Sequence, residues 1–422
     1  MSEHRGIDRR QFLATAVAIG GSAALSACLG RDQATIPTGP TDLSGYPDRQ
    51  HAWNAVLPTD DHGNVLPPRH RVILLLDLPG TAPPTDEDRS TVATALEGVE
   101  HAYERSGDGL LMTVSYGPTY FDRYADPLPN SIDLPPPEAL SSFEDPVLDD
   151  SDAVIHLASN HAAAVLGAEE ALRGTVDAVN GVDQPGAALT DVFTIRDRHT
   201  GFVGAGLPAD HDDVTGVPED AIDEDAPLYM GFKSGFEKNQ ASEDSVTITE
   251  GPFAGGTTQH FSTLRLDLER WYEQDDRWQR EAKMFCPHHA ETNAVEDVGN
   301  NLGDDSGVDA CRDTDRAARE MGVVGHTQKT ADARQNGEPL ILRRDFNSTD
   351  GGHAGLHFVA VQASIEDFVA TREAMNGVDI AADSAVGQRT NNGILQYVQT
   401  LRRGNFLVPP RQHRVLPTPN PP

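Results

Sequence analysis

Arg71-Val72-Ile73-Leu74-Leu75-Leu76-Asp77 is an unbroken apolar run closed at both ends by charge. Its length and content predict a β-strand. Outward from it, Asp86 to Glu104 predicts a helix and Leu110 to Ser115 a short strand. After a Pro-rich stretch from Pro127 to Pro146, Ala153 to Ala158 predicts a strand, Ala162 to Val176 a helix and Val192 to Asp197 a strand. This β-α-β, β-α-β order is that of a ferredoxin-like α+β unit. A polar, turn-rich segment from Gly201 to Asp225 follows. Beyond it, Thr258 to Asp267 predicts a strand, Glu269 to Met284 a helix, Leu340 to Phe346 and Leu356 to Gln362 two strands, and Ile365 to Met375 a helix, with a polar excursion from His288 to Thr314. The expected fold class is α+β, with two ferredoxin-like halves in one chain, residues 69–225 and 226–422. No short internal repeat accompanies the duplicated element order.

A chain of 422 residues can bury a sizeable core. Its formal net charge of −33 repels phosphate backbones and anionic lipid, which argues against nucleic-acid partners. The carboxylates interleave with apolar runs instead of forming an acidic tail, and lysine occurs only at Lys233, Lys238, Lys283 and Lys329. That is the pattern of a folded protein with a salt-tolerant, solvated surface.

At the amino terminus, Asp8-Arg9-Arg10-Gln11-Phe12-Leu13 precedes a mild apolar run from Ala14 to Ala27, ending in Leu25-Ser26-Ala27-Cys28. An arginine pair, a short small-residued run and a small residue before cysteine read as a twin-arginine lipoprotein signal over residues 1–28, with Cys28 as the lipid anchor. The run is too short for a membrane span, so membrane attachment is expected through that anchor alone, outside the cell. Residues 29–68, rich in Pro, Gly, Thr and Asp, are expected to form a tether. Cys286 and Cys311 would then face an oxidising compartment and could pair. Cys286-Pro287-His288-His289 with Glu291 offers metal-ligand chemistry, but as a fragment without a distant second ligand pair it reads better as a loop.

Five segments in chain order carry a resemblance. Gly231-Phe232-Lys233-Ser234-Gly235 is similar to the GxxDG haem-pocket motif of the dye-decolourising peroxidases, in the GFKDG form of their exported deferrochelatase-like branch, with Ser234 in place of Asp. His326 in Val324-Gly325-His326-Thr327 stands where that family places its haem-ligating histidine. Seventeen residues later, Arg343 stands at its distal arginine. Gly355-Leu356-His357-Phe358-Val359-Ala360-Val361-Gln362 resembles the family's haem-walling GLLFVxxQ strand, and Leu111 to Asp122 resembles its LTVTxGxGPSLFD segment. The resemblance spans roughly residues 48 to 410 and implies a duplicated ferredoxin-like, dimeric α+β barrel type of fold with haem b in the second half.

The resemblance implies that Gly231, Phe232, Gly235, His326, Arg343, Leu356 and Phe358 bind the cofactor, with His326 as the iron ligand. Arg343 and Ser234 become the distal groups that meet hydrogen peroxide. Cleaving peroxide calls for a fixed cation and a proton shuttle. A guanidinium supplies the first at any working pH. A hydroxyl is a poor base, so Ser234 weakens the second; Glu237, Asp244 and His357 are substitutes that spacing does not single out. The expected function is an exported peroxidase acting on hydrogen peroxide and a small organic or metal donor. The alternatives are a non-catalytic haem-binding or haem-handling lipoprotein, for which Ser234 speaks, and a haem-free binding protein. Nothing in the sequence decides whether the chain forms a homo-oligomer.

Overall fold

The computed structural model describes residues 35–311 and 313–422. The twin-arginine segment and Cys28 lie outside the described residues. No helix among the described residues is long and apolar enough to cross a membrane.

The first half is built from β1 (His70–Asp77), α1 (Asp86–Ala102), β2 (Leu111–Tyr116), β3 (Ala153–Ser159), α2 (Ala162–Leu172) and β4 (Thr194–Phe202). Its sheet runs β4-β1-β3-β2, antiparallel throughout, the ferredoxin-like order. The unbroken apolar run of β1 now has its reason. Val72, Leu74 and Leu76 face α1 and α2, while Ile73 and Leu75 face the inside of a barrel, so neither face meets water.

The second half repeats the plan. It contains β5 (Thr257–Leu266), α3 (Arg277–Met284), α4 (Pro287–Thr292), α5 (Thr314–Met321), α6 (His326–Thr330), β6 (Leu342–Arg343), β7 (Phe346–Ser348), β8 (Gly355–Gln362), α7 (Ile365–Asn376) and β9 (Val398–Val408). β5 pairs with β8 and β9, and β8 pairs with β6 and β7. The single helix expected over Glu269 to Met284 is instead a wide turn, Arg270–Gln274, followed by α3. The break is chemical: Asp276 caps α3, its side chain accepting from the Gln279 amide while Gln279 returns the bond.

Two thin seams close the half-sheets into one barrel. Tyr116 of β2 pairs with Leu407 of β9, and Asn347 of β7 pairs with Phe202 of β4. Phe261, Phe346, Val359 and Phe406 from the second half meet Ile73, Leu75 and Val154 from the first inside it.

The expected tether over residues 29–68 is corrected from residue 35 onward. That stretch is packed against the barrel. Trp53 is 2% exposed and Gln50 5%. The Gln50 amide donates to the carbonyls of Val114 and Pro409, at 3.1 and 2.7 Å, and accepts from Val114 N at 3.0 Å. Gln50 thereby satisfies backbone groups that β2 and β9 leave unpaired beside their seam. Composition suggested a linker, and buried side chains override it.

Candidate active site

In the first half the helices close directly onto the sheet, but in the second a cavity of about 770 Å³ separates the sheet from its helices. Leu356 and Phe358 line it because alternate residues of β8 share one face. Arg343 lies opposite Ala360 across the ladder, which turns its side chain to that same face. Phe232 enters from the GFKSG loop, packed edge-on against Phe285 at 5.3 Å.

His326 opens α6 on another wall. The helix is short and is held by its neighbours. Thr327 Oγ1 donates to Met284 O at 2.9 Å, and Gln328 Nε2 donates to Cys311 O at 2.6 Å. Cys286 and Cys311 form a disulfide, with His289 Nδ1 close to both sulfurs. The Cys-Pro-His-His segment is thus part of the buttress under α6. Burial, with Arg343, Lys329 and Arg372 close by, pushes the His326 pKa down to about 3, so the imidazole is neutral at ordinary pH. Its Nδ1 is buried without a hydrogen-bond partner among the described residues. Nε2 is the ring nitrogen left to meet a group in the cavity. Asn392, which follows α7 in the chain, is occupied within its own surroundings: its side chain accepts from the buried Lys329 Nζ and donates to Asn376 O and Gln388 O.

Arg343 has no carboxylate partner among the described residues; its backbone N donates to Gln240 Oε1 at 3.1 Å, with Nε at 3.5 Å from the same oxygen. Ser234 lines the same cavity. Arg372 and Arg403 also line it, both paired to Glu144, at 3.1 and 2.9 Å. Arg389 adds a further cation, donating to the Leu395 and Val398 carbonyls. In a chain of net charge −33 this is a concentration of positive charge, suited to acidic groups on a ligand.

The structure thus gathers His326, Arg343, Ser234, Phe232, Leu356 and Phe358 around one cavity. Two of the residues expected to bind the cofactor stand outside this lining: Gly231 and Gly235, the latter lining a neighbouring polar cavity. Both have left-handed backbone, φ +81° and +78°, and a β-carbon on Gly231 would lie 2.8 Å from Tyr272 Oη. Their part is to turn the loop. None of the three substitute acids and bases lines this cavity. Glu237 and Asp244 line the neighbouring cavity, with Asp244 paired to Arg49. His357 faces the barrel interior, because it alternates with Leu356 and Phe358. Among the carboxylates that line the cavity, Asp345 is the one two residues from Arg343 in sequence. It has no hydrogen bond or ion pair among the described residues, and it also lines the neighbouring cavity, which Ser234 and Arg343 share. Two-residue spacing from Arg343 was the signal available in the sequence.

Fold and cavity define a duplicated ferredoxin-like α+β barrel with a histidine and an arginine facing one pocket in its second half. The chain belongs to the family of unknown function DUF7405, whose profile matches residues 68–410. No curated protein matches the sequence. Among solved structures, the dye-decolorizing protein from V. cholerae is similar at 17% identity and a TM-score of 0.53, over 86% of this chain and 98% of that one. A DypB variant from Rhodococcus jostii RHA1 in complex with heme is similar at 15% identity and 0.53, over 86% and 97%. The encapsulated DyP-type peroxidase from Mycobacterium smegmatis is similar at 14% and 0.52, over 87% and 100%. At these identities the likeness establishes the fold.

Proposed function

We propose that this protein is a haem-dependent peroxidase of the dye-decolourising type, exported by the twin-arginine route and held outside the cell by lipid on Cys28. The observation that carries the reading is one cavity lined by a neutral histidine, His326, an arginine, Arg343, with no carboxylate partner among the described residues, and apolar side chains. Its volume of about 770 Å³ falls in the range of cofactor sites. The fold's likeness to a structure that is itself in complex with heme supports it.

The residues present fit haem. His326 Nε2 would hold the iron, Leu356, Phe358 and Phe232 would wall the macrocycle, and Arg372, Arg389 and Arg403 would meet its carboxylates. Bound at this site, haem would supply the redox chemistry between peroxide and a one-electron donor. Arg343 supplies fixed positive charge and N–H donors where negative charge develops on peroxide oxygen. Asp345 carries a proton from one peroxide oxygen to the other, the task that the Ser234 hydroxyl performs poorly. The donor is a small organic molecule or metal ion, supplying two electrons per peroxide reduced to water.

The test is an absorption spectrum of protein lacking residues 1–28, folded in high salt with haem, beside His326→Ala, followed by peroxide and a dye. A Soret band lost in His326→Ala, with peroxide-dependent bleaching in the parent, is the expected result. A second reading, a haem-binding lipoprotein without turnover, is favoured by Ser234 and by the unpartnered Nδ1 of His326, which leaves the ligand without an electron-donating acceptor. Haem bound without bleaching would select it, and absence of haem would overturn both.

A further inference from the structure

The barrel interior holds a polar cluster that the proposed function does not use. His357 projects inward from β8 and His199 inward from β4, their rings 4.8 Å apart and both packed on Phe261. Asp350, in the turn between β7 and β8, reaches both. Its Oδ2 lies 2.9 Å from His357 Nε2 and 3.5 Å from His199 Nδ1. One ligand atom from each residue falls within 4.8 Å of the others. The edges of a zinc tetrahedron made from such donors are about 3.3 Å, a length that these two distances bracket.

The surrounding atoms orient these three side chains. The far nitrogen of His199, Nε2, lies 3.5 Å from Asp197 Oδ2 and makes no hydrogen bond among the described residues. The far nitrogen of His357, Nδ1, lies 3.4 Å from Thr263 Oγ1. The other oxygen of Asp350, Oδ1, accepts from Thr200 Oγ1 at 2.7 Å, and Oδ2 is itself held by Thr200 N at 3.0 Å. Each ligand therefore turns one atom to the common point and has an outer group facing the other atom, as at metal centres. The charge balance points the same way. Among the described residues Asp350 pairs with no lysine or arginine, and the two imidazoles it faces pack on Phe261, His357 also against Phe346. A carboxylate with no fixed cation beside it leaves room for a bound one. His199 and His357 are 7% and 1% exposed, whereas the Asp350 side chain is 25% exposed, so an ion can enter past Asp350.

We propose that His199, Asp350 and His357 bind a divalent transition-metal ion that staples the two halves of the barrel. Two imidazoles and one carboxylate suit zinc, iron(II) or cobalt(II), with a fourth position left for water. His199 belongs to the first half and the other two ligands to the second. The seam they flank has one ladder pair, Phe202–Asn347, so a bond across it adds what the strands lack.

The test uses the haem-free chain, stripped with chelator and titrated with zinc and then with cobalt(II), so that its outcome is independent of the haem site. One equivalent of zinc, a rise of several degrees in the melting temperature and the visible absorption of four-coordinate cobalt are expected. His357→Leu, which replaces an imidazole with an apolar group in an apolar interior, should abolish all three, while His326→Ala and His288→Ala should leave them intact. Zinc uptake that persists in His357→Leu overturns the proposal. If that variant fails to fold, cobalt bound to the parent without the four-coordinate spectrum, or no uptake at all, overturns it equally.

Discussion

Gly325 passes so close to the Phe285 carbonyl that a β-carbon on it would lie 1.7 Å from that oxygen and 2.9 Å from Cys286 N. This contact sets the depth of His326, because Gly325 is the residue from which α6 starts and Gln328 N in turn donates to Phe285 O at 3.3 Å. A methyl group there has backbone, not a movable side chain, in its way. Gly325→Ala is expected to leave far-ultraviolet circular dichroism near that of the parent and to weaken haem binding at least tenfold, since overpacking of about 1–3 kcal/mol is relieved by shifting α6. Unchanged haem affinity would separate His326 placement from this contact.

The distal side has a charge pattern that mutagenesis can read. Asp345→Asn keeps the shape of the side chain and removes the carboxylate. It is expected to lower kcat/KM for peroxide on the order of 10²-fold with haem content unchanged, and Ser234→Asp in that background should restore part of the loss. Arg343→Leu is expected to cost a similar factor through lost stabilisation of developing charge. Equal activity in Asp345→Asn and the parent would assign the proton to another group.

Cys286 and Cys311 close a 25-residue separation beneath α6. Replacing both with serine is expected to lower unfolding stability by about 3 kcal/mol, measured by urea denaturation in high salt. Because Gln328 is anchored on Cys311 O, haem release should also quicken. A stability unchanged by the double substitution would show that packing alone holds this segment.

Acid should unfold this protein early. Burial pushes His51 down to about 4, His70 and His326 to about 3, and His156 and His260 well below the usual histidine range. The unfolded chain titrates these groups near pH ~6.5. Between the two values it binds more protons than the folded chain, so stability rises with pH there and falls on acidification. Glu144 adds to the trend lower down: burial alone would raise its pKa, but Arg403 and Arg372 bring it to about 2, so its contribution is lost as pH falls below the ordinary carboxylate range. The melting temperature at fixed salt is expected to drop steadily from pH 6.5 to pH 4. A flat profile would contradict the neutral state of these histidines.

The amino-terminal arm tests packing against composition. Trp53→Ala is expected to destabilise the fold by about 3–5 kcal/mol, and a chain begun at residue 69 should aggregate or melt at much lower temperature. A true tether would be dispensable on both counts.

Much of this fold can be read from residue order. The apolar run of β1, the helix of Asp86 onward and the strands of Ala153 and Leu356 follow from local hydrophobic pattern, and the placing of His326 and Arg343 follows from motif spacing. The last strand, β9, escaped because Arg402, Arg403 and Gly404 interrupt its apolar pattern; the carboxylates that balance those arginines, Asp149 and Glu144, are far away in the chain. The place of Asp345 in the pocket, the burial of Trp53 and the His199–Asp350–His357 cluster have the same origin. Each depends on which segments the folded chain brings together. Local pattern determined the elements and their order because secondary structure is set by near neighbours. Which polar residues share a pocket was decided by strand register and by two seams of one ladder pair each, long-range choices that a linear sequence does not display.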